Sequence, residues 1–338
     1  MTVRALEGDL IENMKRVIFD VKGLVHPINR VIAYPRFIPD SSGSRKRKKA
    51  SYRKIYSLGE RFKFLQQDFP HYLVHDPVFD TTLCEVPVGD VIKHYRPAEK
   101  LQRLRNSRSL GTLENRAVQL AELLSEKANL PWNAFGVSGS ILAGLSAASS
   151  DIDPIVYGFQ NSLKAHAAME NLLKDKRGPL RPYTQKDLRI LFEFRSKDTA
   201  MSFEDFVRTE SRKVMQGKFN GIDYFMRFVK NWNETDEKYG DASYENFGYA
   251  RIKATVANDS EAIFTPCKYD IEKVTIVKGP RLAISEIASF RGRFCEQART
   301  GETVVAQGKV ERVRDSRRNR EHFRILLGNE PSDYMVLA

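Results

Sequence analysis

The sequence has few cysteines and no long hydrophobic run. Its 338 residues include only three cysteines, Cys84, Cys267 and Cys295, which lie far apart and have neither CxxC nor Cys/His metal-ligand spacing. We therefore predict buried, reduced thiols rather than a disulfide framework. No apolar stretch approaches the roughly 20 residues of a membrane-spanning helix, and residues 1–16 do not resemble a signal-peptide core. These absences predict a cytoplasmic protein with no membrane partner.

The charge balance favours a polyanionic partner. The chain carries 55 Lys and Arg against 43 Asp and Glu, a formal net charge of +12. RNA or DNA is the partner class that such an excess favours. With 41% hydrophobic and 29% charged residues, the composition is otherwise that of a soluble globular protein large enough for two or three domains.

The basic excess is concentrated in one run. The run contains Arg45, Lys46, Arg47, Lys48 and Lys49 and follows a Ser-Ser-Gly-Ser stretch without an acidic residue. Arg53 and Lys54 come shortly after it and add to the same excess. This composition predicts a flexible loop tip that contacts a phosphate backbone, with a solvated loop or a targeting tract as the alternatives. A second cluster, between residues 312 and 324, is diluted by Asp315 and Glu321.

The predicted secondary structure changes twice along the chain. Residues 1–98 are predicted to form a β-rich N-terminal domain, and residues 99–238 mix strands with helices. Residues 239–338 return to about five short strands separated by glycine turns, which indicates a small barrel or sandwich. An oligonucleotide-binding (OB) barrel is one candidate for this last segment.

The stretch between Pro131 and Gln160 contains no Lys or Arg, and its only formal charges are Asp151 and Asp153. Residues two apart in a strand point to the same side, so we expect both carboxylates to face one side of the strand. Because two negative charges this close repel each other, they are expected to need a neutralising cation. Hard oxygen ligands in small number suit Mg²⁺ that also holds substrate phosphates. Upstream, Gly139-Ser140 follows a short apolar strand and opens a helix, where glycine lets a phosphate approach the backbone.

Each fragment taken alone is more often structural. Gly-Ser before a helix is commonly an N-cap, and Ser-Asp-x-Asp is commonly a turn. Together, Gly139-Ser140, the ten residues 141–150 and then Asp151-Ile152-Asp153 are more specific. This order resembles the signature of the polymerase-β-type nucleotidyltransferase superfamily. The whole chain, including residues 23–27 and 291–295, resembles a poorly characterised archaeal branch of predicted nucleotidyltransferases.

The resemblance implies an α+β fold in which a nucleotidyltransferase mixed sheet with helices is flanked by β-rich terminal domains. It implies that Gly139 and Ser140 hold the triphosphate of an NTP and that Asp151 and Asp153 bind two Mg²⁺ ions. A third carboxylate on a neighbouring strand would complete the metal site. The implied activity is transfer of a nucleoside monophosphate to an acceptor hydroxyl, with RNA favoured over DNA as the acceptor.

Asp223 is our candidate for the third catalytic and metal-binding carboxylate. Asn220-Gly221 predicts a two-residue hairpin turn, after which residues 222–229 alternate with an apolar face on one side. Asp223 and Arg227 lie on the other side, where Arg227 and nearby Lys218 are candidate phosphate or nucleic-acid contacts. The rival, Glu193, lies in a stretch that begins with a capping box and has helical spacing.

Two points remain open in the sequence. Pro154 follows the aspartate pair and lacks the N–H of a strand residue, so we expect it at a sheet edge or a bulge. The alternative to an enzyme is a non-catalytic RNA- or DNA-binding protein that keeps the nucleotidyltransferase fold. The signature itself does not exclude a protein or a small molecule as the acceptor.

Overall fold

The computed structural model describes residues 4–235 and 237–338. It is 27% helical and 37% strand in several sheets, which confirms the α+β class. The chain divides into two compact units. The first contains Met1–Asp76, Thr82–Arg181 and Gln216–Asp236, and the second contains Pro77–Thr81, Pro182–Met215 and Glu237–Ala338.

An eight-stranded sheet forms the N-terminal part of the first unit. Its strands are β1 (Leu10–Asn13), β2 (Ile18–Val21), β3 (Arg30–Pro39), β4 (Arg45–Arg47), β5 (Ala50–Lys54), β6 (Leu73–Asp76), β7 (Thr81–Pro87) and β8 (Val91–Tyr95). Neighbours follow the order β4-β5-β3-β2-β1-β8, and β7 pairs with β3 and β6. Helix α1 (Leu58–Asp68) begins after Ser57, whose side chain accepts a hydrogen bond from the Glu60 N–H.

Residues 45–54 form a β-hairpin, so our prediction of a flexible loop was wrong. Strands β4 and β5 pair antiparallel, and Lys48 has a positive φ of 56° in the turn between them. Because successive side chains of a strand point to opposite faces, Arg45 on β4 is buried and Lys46 is exposed. The serine and glycine residues before the run had suggested a loop, but Arg45 is buried and Arg47 is partly buried.

The rest of the first unit contains helices and two small sheets. The helices are α2 (Pro97–Arg105), α3 (Thr112–Ala128), α4 (Gly139–Ala143) and α5 (Phe159–Lys174). The strands are β9 (Phe135–Val137), β10 (Pro154–Tyr157), β11 (Leu180–Arg181), β12 (Gln216–Phe219), β13 (Ile222–Phe225) and β14 (Arg227–Val229). One sheet has the order β14-β10-β9 and the other β11-β12-β13.

The hairpin between β12 and β13 is confirmed. Asn220 and Gly221 both have positive φ, and Phe219 pairs directly with Ile222, as a two-residue turn requires. The apolar face predicted for residues 222–229 is also present, because Tyr224, Met226 and Phe228 are fully buried; Ile222 is only partly buried.

Pro154 is the first residue of β10, the central strand of its sheet, and not at an edge. Ile152 exchanges backbone hydrogen bonds with Asp223 and Phe225, in a parallel bridge to Tyr224. The same alternation would next require an N–H from residue 154, which proline lacks. The parallel ladder accordingly resumes only at Ile155, and the expected single strand over residues 222–229 is divided into β13 and β14.

The N-terminal sheet and the segment after Gly139 share one hydrophobic core. The cluster consists of Leu10, Ile18, Phe37, Tyr52, Tyr95, Leu142, Ala143 and Leu145. The predicted three-part division therefore does not follow the compact units, because residues 1–98 and the candidate site segment are packed together. Residues 182–215 also belong to the second unit rather than to the predicted central domain.

The second unit begins with two capped helices. Helix α6 (Gln185–Arg195) has the predicted capping box between Thr184 and Asp187, and Ser202 caps α7 (Phe203–Glu210). Four short 3₁₀ helices complete the helical elements of the described chain: Pro70–Tyr72, Val88–Asp90, Trp132–Ala134 and Gly292–Phe294.

A closed barrel forms most of the second unit. Its strands are β15 (Ala242–Asn258), β16 (Cys267–Lys278), β17 (Ile284–Ser289), β18 (Thr303–Asp315) and β19 (Arg320–Leu327), and β20 (Tyr334–Leu337) pairs with β18. Five strands close in the order β15-β16-β17-β19-β18-β15, with β17 and β19 parallel and the other pairs antiparallel. All three cysteines of the chain are buried and free, as predicted. Within the described residues, no helix is long and apolar enough to span a bilayer.

Candidate functional site

The candidate site begins at the turn between β9 and α4. The Ser138 N–H donates to the Asp153 carbonyl at 2.8 Å, and the Ser138 hydroxyl donates to the Gly8 carbonyl at 2.5 Å. These bonds join the end of β9 to the strand that follows the aspartate pair and to the N-terminal segment. The turn is thereby fixed on two sides before the helix starts.

Position 139 requires a glycine because the Asp153 side chain lies against its backbone. Gly139 has a φ of +60°, and a Cβ atom built on it would lie 1.8 Å from Asp153 Oδ2 and 2.7 Å from its Cγ. No other residue fits this position while the carboxylate stays where it is. The structure therefore brings together the glycine and the second aspartate of the motif, 14 positions apart in the sequence.

Ser140 follows as the second residue of α4 and is almost completely buried. It is 1% exposed, and its hydroxyl oxygen has no hydrogen-bond partner in the described part of the chain. A buried hydroxyl without a partner costs free energy, on the order of 1–3 kcal/mol. The Ser140 hydroxyl is therefore a donor available to a bound group.

Asp151 and Asp153 lie on the same face of the chain. Ile152 between them is fully buried and bridges Tyr224, so its two neighbours point the other way. Burial raises the pKa of Asp153 to about 6, and the charge of Asp151 acts in the same direction. A cation beside the pair would relieve both effects.

The positive charges around the aspartate pair come from strands that are distant from it in the sequence. Arg36 on β3, Lys54 at the end of β5 and Arg227 on β14 each lower the pKa of Asp153, although burial outweighs them. Burial lowers the pKa of the Lys54 ammonium, and Arg36 adds to that effect, whereas Asp151 and Asp153 oppose it. Arg36 was not among our predicted residues, and Lys54 was noted only as part of the basic excess, not at the aspartate pair.

Arg227 connects the aspartate pair to a second acidic group. It is the cross-strand partner of Ile155, one step beyond Asp153 on the same face. Its guanidinium lies 3.4 Å from Glu7 Oε1 and 3.7 Å from Asp20 Oδ1. Burial alone would lower the pKa of Arg227, but the carboxylates of Asp20 and Glu7 raise it above its usual range. Arg227 is thus a partly buried, charged link between carboxylates.

The structure places Asp223 beside the pair but in an ion pair of its own. The bridge between Ile152 and Tyr224 puts Asp223 on the face of Asp151. Its carboxylate is half-exposed and lies 2.9 Å from Lys218 Nζ, directly across the hairpin. Among the residues that the structure describes, no three His, Cys, Asp or Glu side chains are grouped as a metal site. The rival Glu193 is on α6, in the second unit.

Arg45 and Arg47 support the site from the hairpin instead of facing solvent. Arg45 donates to the Leu145 carbonyl at 2.6 Å and to the Ser150 hydroxyl at 3.1 Å, which are the two ends of the segment before Asp151. Arg47 donates to Glu12 and to two tyrosine hydroxyls. These contacts correct the prediction that both bind nucleic acid from an exposed loop. Only Lys46, Lys48 and Lys49 of that run are exposed.

The other segments on which the resemblance rests make structural contacts. In residues 23–27, the Gly23 N–H donates to Glu7 Oε2 at 2.7 Å, and the His26 ring bonds to the Ala5 carbonyl. In residues 291–295, Arg291 and Arg293 both contact the carboxylate of Asp198. These contacts hold the fold within each unit.

The signals for the missed residues are weak in the sequence. Arg36 and Lys54 are more than 90 residues before the aspartates, and neither belongs to a recognisable motif. The pairing of Lys218 with Asp223 had a signal, because a two-residue turn at 220–221 sets that register. A count from the turn would have found it.

Fold and site together define an α+β protein with an aspartate pair, of which Asp153 is buried and Asp151 partly buried, against the glycine that opens α4. Uncharacterized protein MJ1086 of Methanocaldococcus jannaschii is 32% identical over 329 residues, which covers 95% of this chain and 94% of that protein. The chain belongs to the same family as MJ1086. No family model matches the chain. No solved structure matches it either.

Proposed function

We propose that the protein is a nucleotidyltransferase with a polymerase-β-like core that moves a nucleoside monophosphate from an NTP to an acceptor hydroxyl. The observation that carries this proposal is the contact between Gly139 and Asp153, because it joins the two halves of the motif in one site. A nucleic acid, RNA before DNA, is the acceptor that the net charge of +12 favours.

The donor set at the pair suits Mg²⁺. Asp151 and Asp153 offer oxygen ligands on one face. Burial first, and the charge of Asp151 second, raise the pKa of Asp153, and a divalent ion would offset both effects. These two residues would hold the metal. Asp223 would join them only after leaving Lys218, so we give it the weaker claim. When bound, Mg²⁺ polarises phosphate oxygens and neutralises the charge of the leaving pyrophosphate.

The remaining work falls to residues that bind and orient phosphates. The Ser140 hydroxyl has no competing partner among the described residues and is free to donate to a phosphate oxygen. Lys54 and Arg36 bring positive charge to the same place, where the motif stretch has none. Phosphoryl transfer needs little beyond such positioning and charge stabilisation.

The second candidate function is nucleic-acid binding without turnover. The ion pair of Asp223 with Lys218 favours it, because an occupied third carboxylate leaves the metal site with two acidic ligands. In that case the fold would serve as a scaffold for exposed basic surfaces.

Pyrophosphate release from each of the four NTPs distinguishes the two functions. Full-length protein is assayed with Mg²⁺ and with the nucleic acid that copurifies with it. We expect release by the wild type and a loss of more than about 100-fold in Asp151→Asn and Asp153→Asn, which exceeds the effect of changing groups that only support metal ligands. Asp68→Asn, which removes one exposed negative charge from α1, is the matched control and should retain activity.

Thermal unfolding provides a readout independent of turnover. An NTP with Mg²⁺ should raise the melting temperature of the wild type and of Asp68→Asn, but not of Asp153→Asn, because a ligand stabilises only the state that binds it. Release that survives both aspartate substitutions would refute the metal site. A protein that binds nucleic acid but shows neither release nor an NTP-dependent shift would support the second candidate function.

A further inference from the structure

The outer surface of the barrel has a row of side chains that crosses four strands. On β15, Arg251 and Lys253 are exposed, while Ile252 and Ala254 between and after them are buried. Arg251 pairs with Lys278 of β16 on one side and with Gln307 of β18 on the other, and Gln307 pairs with Tyr334 of β20. Directly paired residues point to the same side, so these side chains share the outer surface.

Two cations are direct neighbours in this row. Arg251 and Lys278 are cross-strand partners, and both are exposed. Lys253 follows Arg251 on the same face. Like charges directly opposite each other destabilise a sheet. An arrangement with this cost is expected where a bound anion offsets it.

No carboxylate neutralises these cations. Within residues 4–235 and 237–338, none of Arg251, Lys253 and Lys278 has an ion pair. The polar partner of Arg251 is neutral, since its Nε donates to Gln307 Oε1 at 2.9 Å. The positive charge of the face is therefore available to a ligand.

The arginine cluster between residues 312 and 324 lies in the same barrel but has counter-charges, so it provides a comparison for the Arg251 row. Arg314 pairs with Glu321 at 2.9 Å, Arg318 pairs with Asp315 at 3.0 Å, and Arg312 pairs with Glu245. These cations are neutralised by the protein itself. Positive charge alone thus does not distinguish the two surfaces, whereas the absence of counter-charges does.

Aromatic rings accompany the unpaired cations. The Arg251 guanidinium carbon lies 6.0 Å from the centre of the Tyr334 ring. Tyr249, two residues before Arg251 on β15, is 39% exposed, and its hydroxyl is fixed by a 2.7 Å hydrogen bond to Asp333 Oδ1. Cations that bind a phosphate backbone, next to rings on which bases stack, are the combination used for single-stranded nucleic acid.

We propose that the surface formed by Tyr249, Arg251, Lys253, Lys278 and Tyr334, here named the Arg251 face, binds single-stranded nucleic acid. The three cations contact successive phosphates, and Tyr334 stacks on a base. The inference deepens the proposed function by naming a surface for the acceptor, and it rests on that function only for the acceptor role.

Binding of a fluorescent oligouridylate of about 15 nucleotides to the full-length protein tests the face. Anisotropy is measured between about 50 and 200 mM salt with EDTA and without NTP, so that binding does not depend on the aspartate pair. Each phosphate contact contributes about 0.7 to the salt slope for a single strand, so Arg251→Gln/Lys253→Gln/Lys278→Gln should reduce the slope by about 2 and the affinity at 0.1 M salt by about 100-fold.

The matched control is Arg312→Gln/Arg314→Gln/Arg318→Gln, which removes the same net charge from the same unit. It should leave the slope within the error of the wild type. Equal losses in both triple variants would mean that only net charge matters and would overturn the proposal, as would an unchanged slope in the first variant. Tyr334→Leu should weaken binding by about fivefold or more at an unchanged slope.

Thermal unfolding checks that each variant is folded. If the triple variant at Arg251, Lys253 and Lys278 has a lower melting temperature than the wild type, the single variant Lys253→Gln replaces it, with an expected decrease of about 0.7 in the salt slope. Because the assay contains neither NTP nor metal, its result is separate from the transferase test. If the wild-type protein binds oligouridylate but releases no pyrophosphate from an NTP, that result would count against the proposed function alone. Binding to anionic vesicles without binding to oligouridylate would overturn the proposed ligand.

Discussion

Replacing Gly139 by alanine perturbs the contact on which the candidate site is built. The added Cβ would lie 1.8 Å from Asp153 Oδ2, so the carboxylate must move by more than about 1 Å. The left-handed backbone at φ +60° adds a cost of about 1–2 kcal/mol for any residue with a Cβ. Overpacking of a buried site typically adds about 1–3 kcal/mol. We expect a total loss of about 2–5 kcal/mol in the free energy of unfolding.

Gly144→Ala separates the two contributions. Gly144 ends the same helix with a φ of +67°, but a Cβ there would meet only Arg47 Cδ at 3.8 Å, an ordinary contact. This variant should therefore lose only the backbone term. The difference between the two variants, about 1–3 kcal/mol, measures the clash with Asp153.

Tryptophan fluorescence in urea is the appropriate assay. The chain has two tryptophans, Trp132 and Trp232, and both belong to the first unit. Their fluorescence therefore reports the unfolding of the unit that contains Gly139. Equal losses in Gly139→Ala and Gly144→Ala would refute the claimed contact. So would an Asp153→Ala substitution that fails to recover the difference in the Gly139→Ala background, because coupled neighbours must be non-additive.

Three further predictions concern the supporting residues. Arg45→Met should cost about 1–3 kcal/mol in the same urea assay, because it leaves the Leu145 carbonyl without its donor, whereas the Ser150 hydroxyl keeps the Ala147 N–H. Lys46→Met, on the exposed side of the same strand, should change stability by less than about 0.5 kcal/mol. Neutralising Lys46, Lys48 and Lys49 should reduce the salt slope of nucleic-acid binding by about 2, and an unchanged slope would exclude the hairpin from the interface. Burial lowers the pKa of His26 to about 4 from 6.5, so the stability that the neutral ring contributes is complete above pH 6.5 and is lost as the pH falls to 4, by up to about 3 kcal/mol; urea titrations should show this loss in the wild type and not in His26→Gln.

Local chemistry made parts of this structure predictable from the sequence. The capping box of α6 depends on Thr184 and Asp187 alone, and the hairpin turn depends on Asn220 and Gly221. Such signals extend over a few residues, so tertiary contacts do not override them. The assignment of Glu193 to a helix followed from the same kind of signal and was confirmed.

The basic hairpin shows where local reasoning failed. The sequence reads as five consecutive cations, which favours full exposure. In a strand, however, alternate side chains point to opposite faces, and Arg45 finds a carbonyl and a hydroxyl from residues about 100 positions away. Those partners cannot be identified without the fold. Arginine accepts such a place more readily than lysine because its planar guanidinium satisfies several acceptors at once.

The neutral stretch around the aspartates acquires a physical meaning only in the folded unit. A Lys or Arg within residues 131–160 could neutralise the pair directly and would compete with a metal ion or a phosphate. The structure instead supplies Arg36 and Lys54 from the N-terminal sheet, and it ties Arg227 to Glu7 and Asp20. Arg227 therefore balances an acidic group of its own, and burial still keeps the pKa of Asp153 near 6. The positive charge near the pair is thus fixed by strands that do not carry the motif, and this separation leaves the carboxylates free to take a ligand.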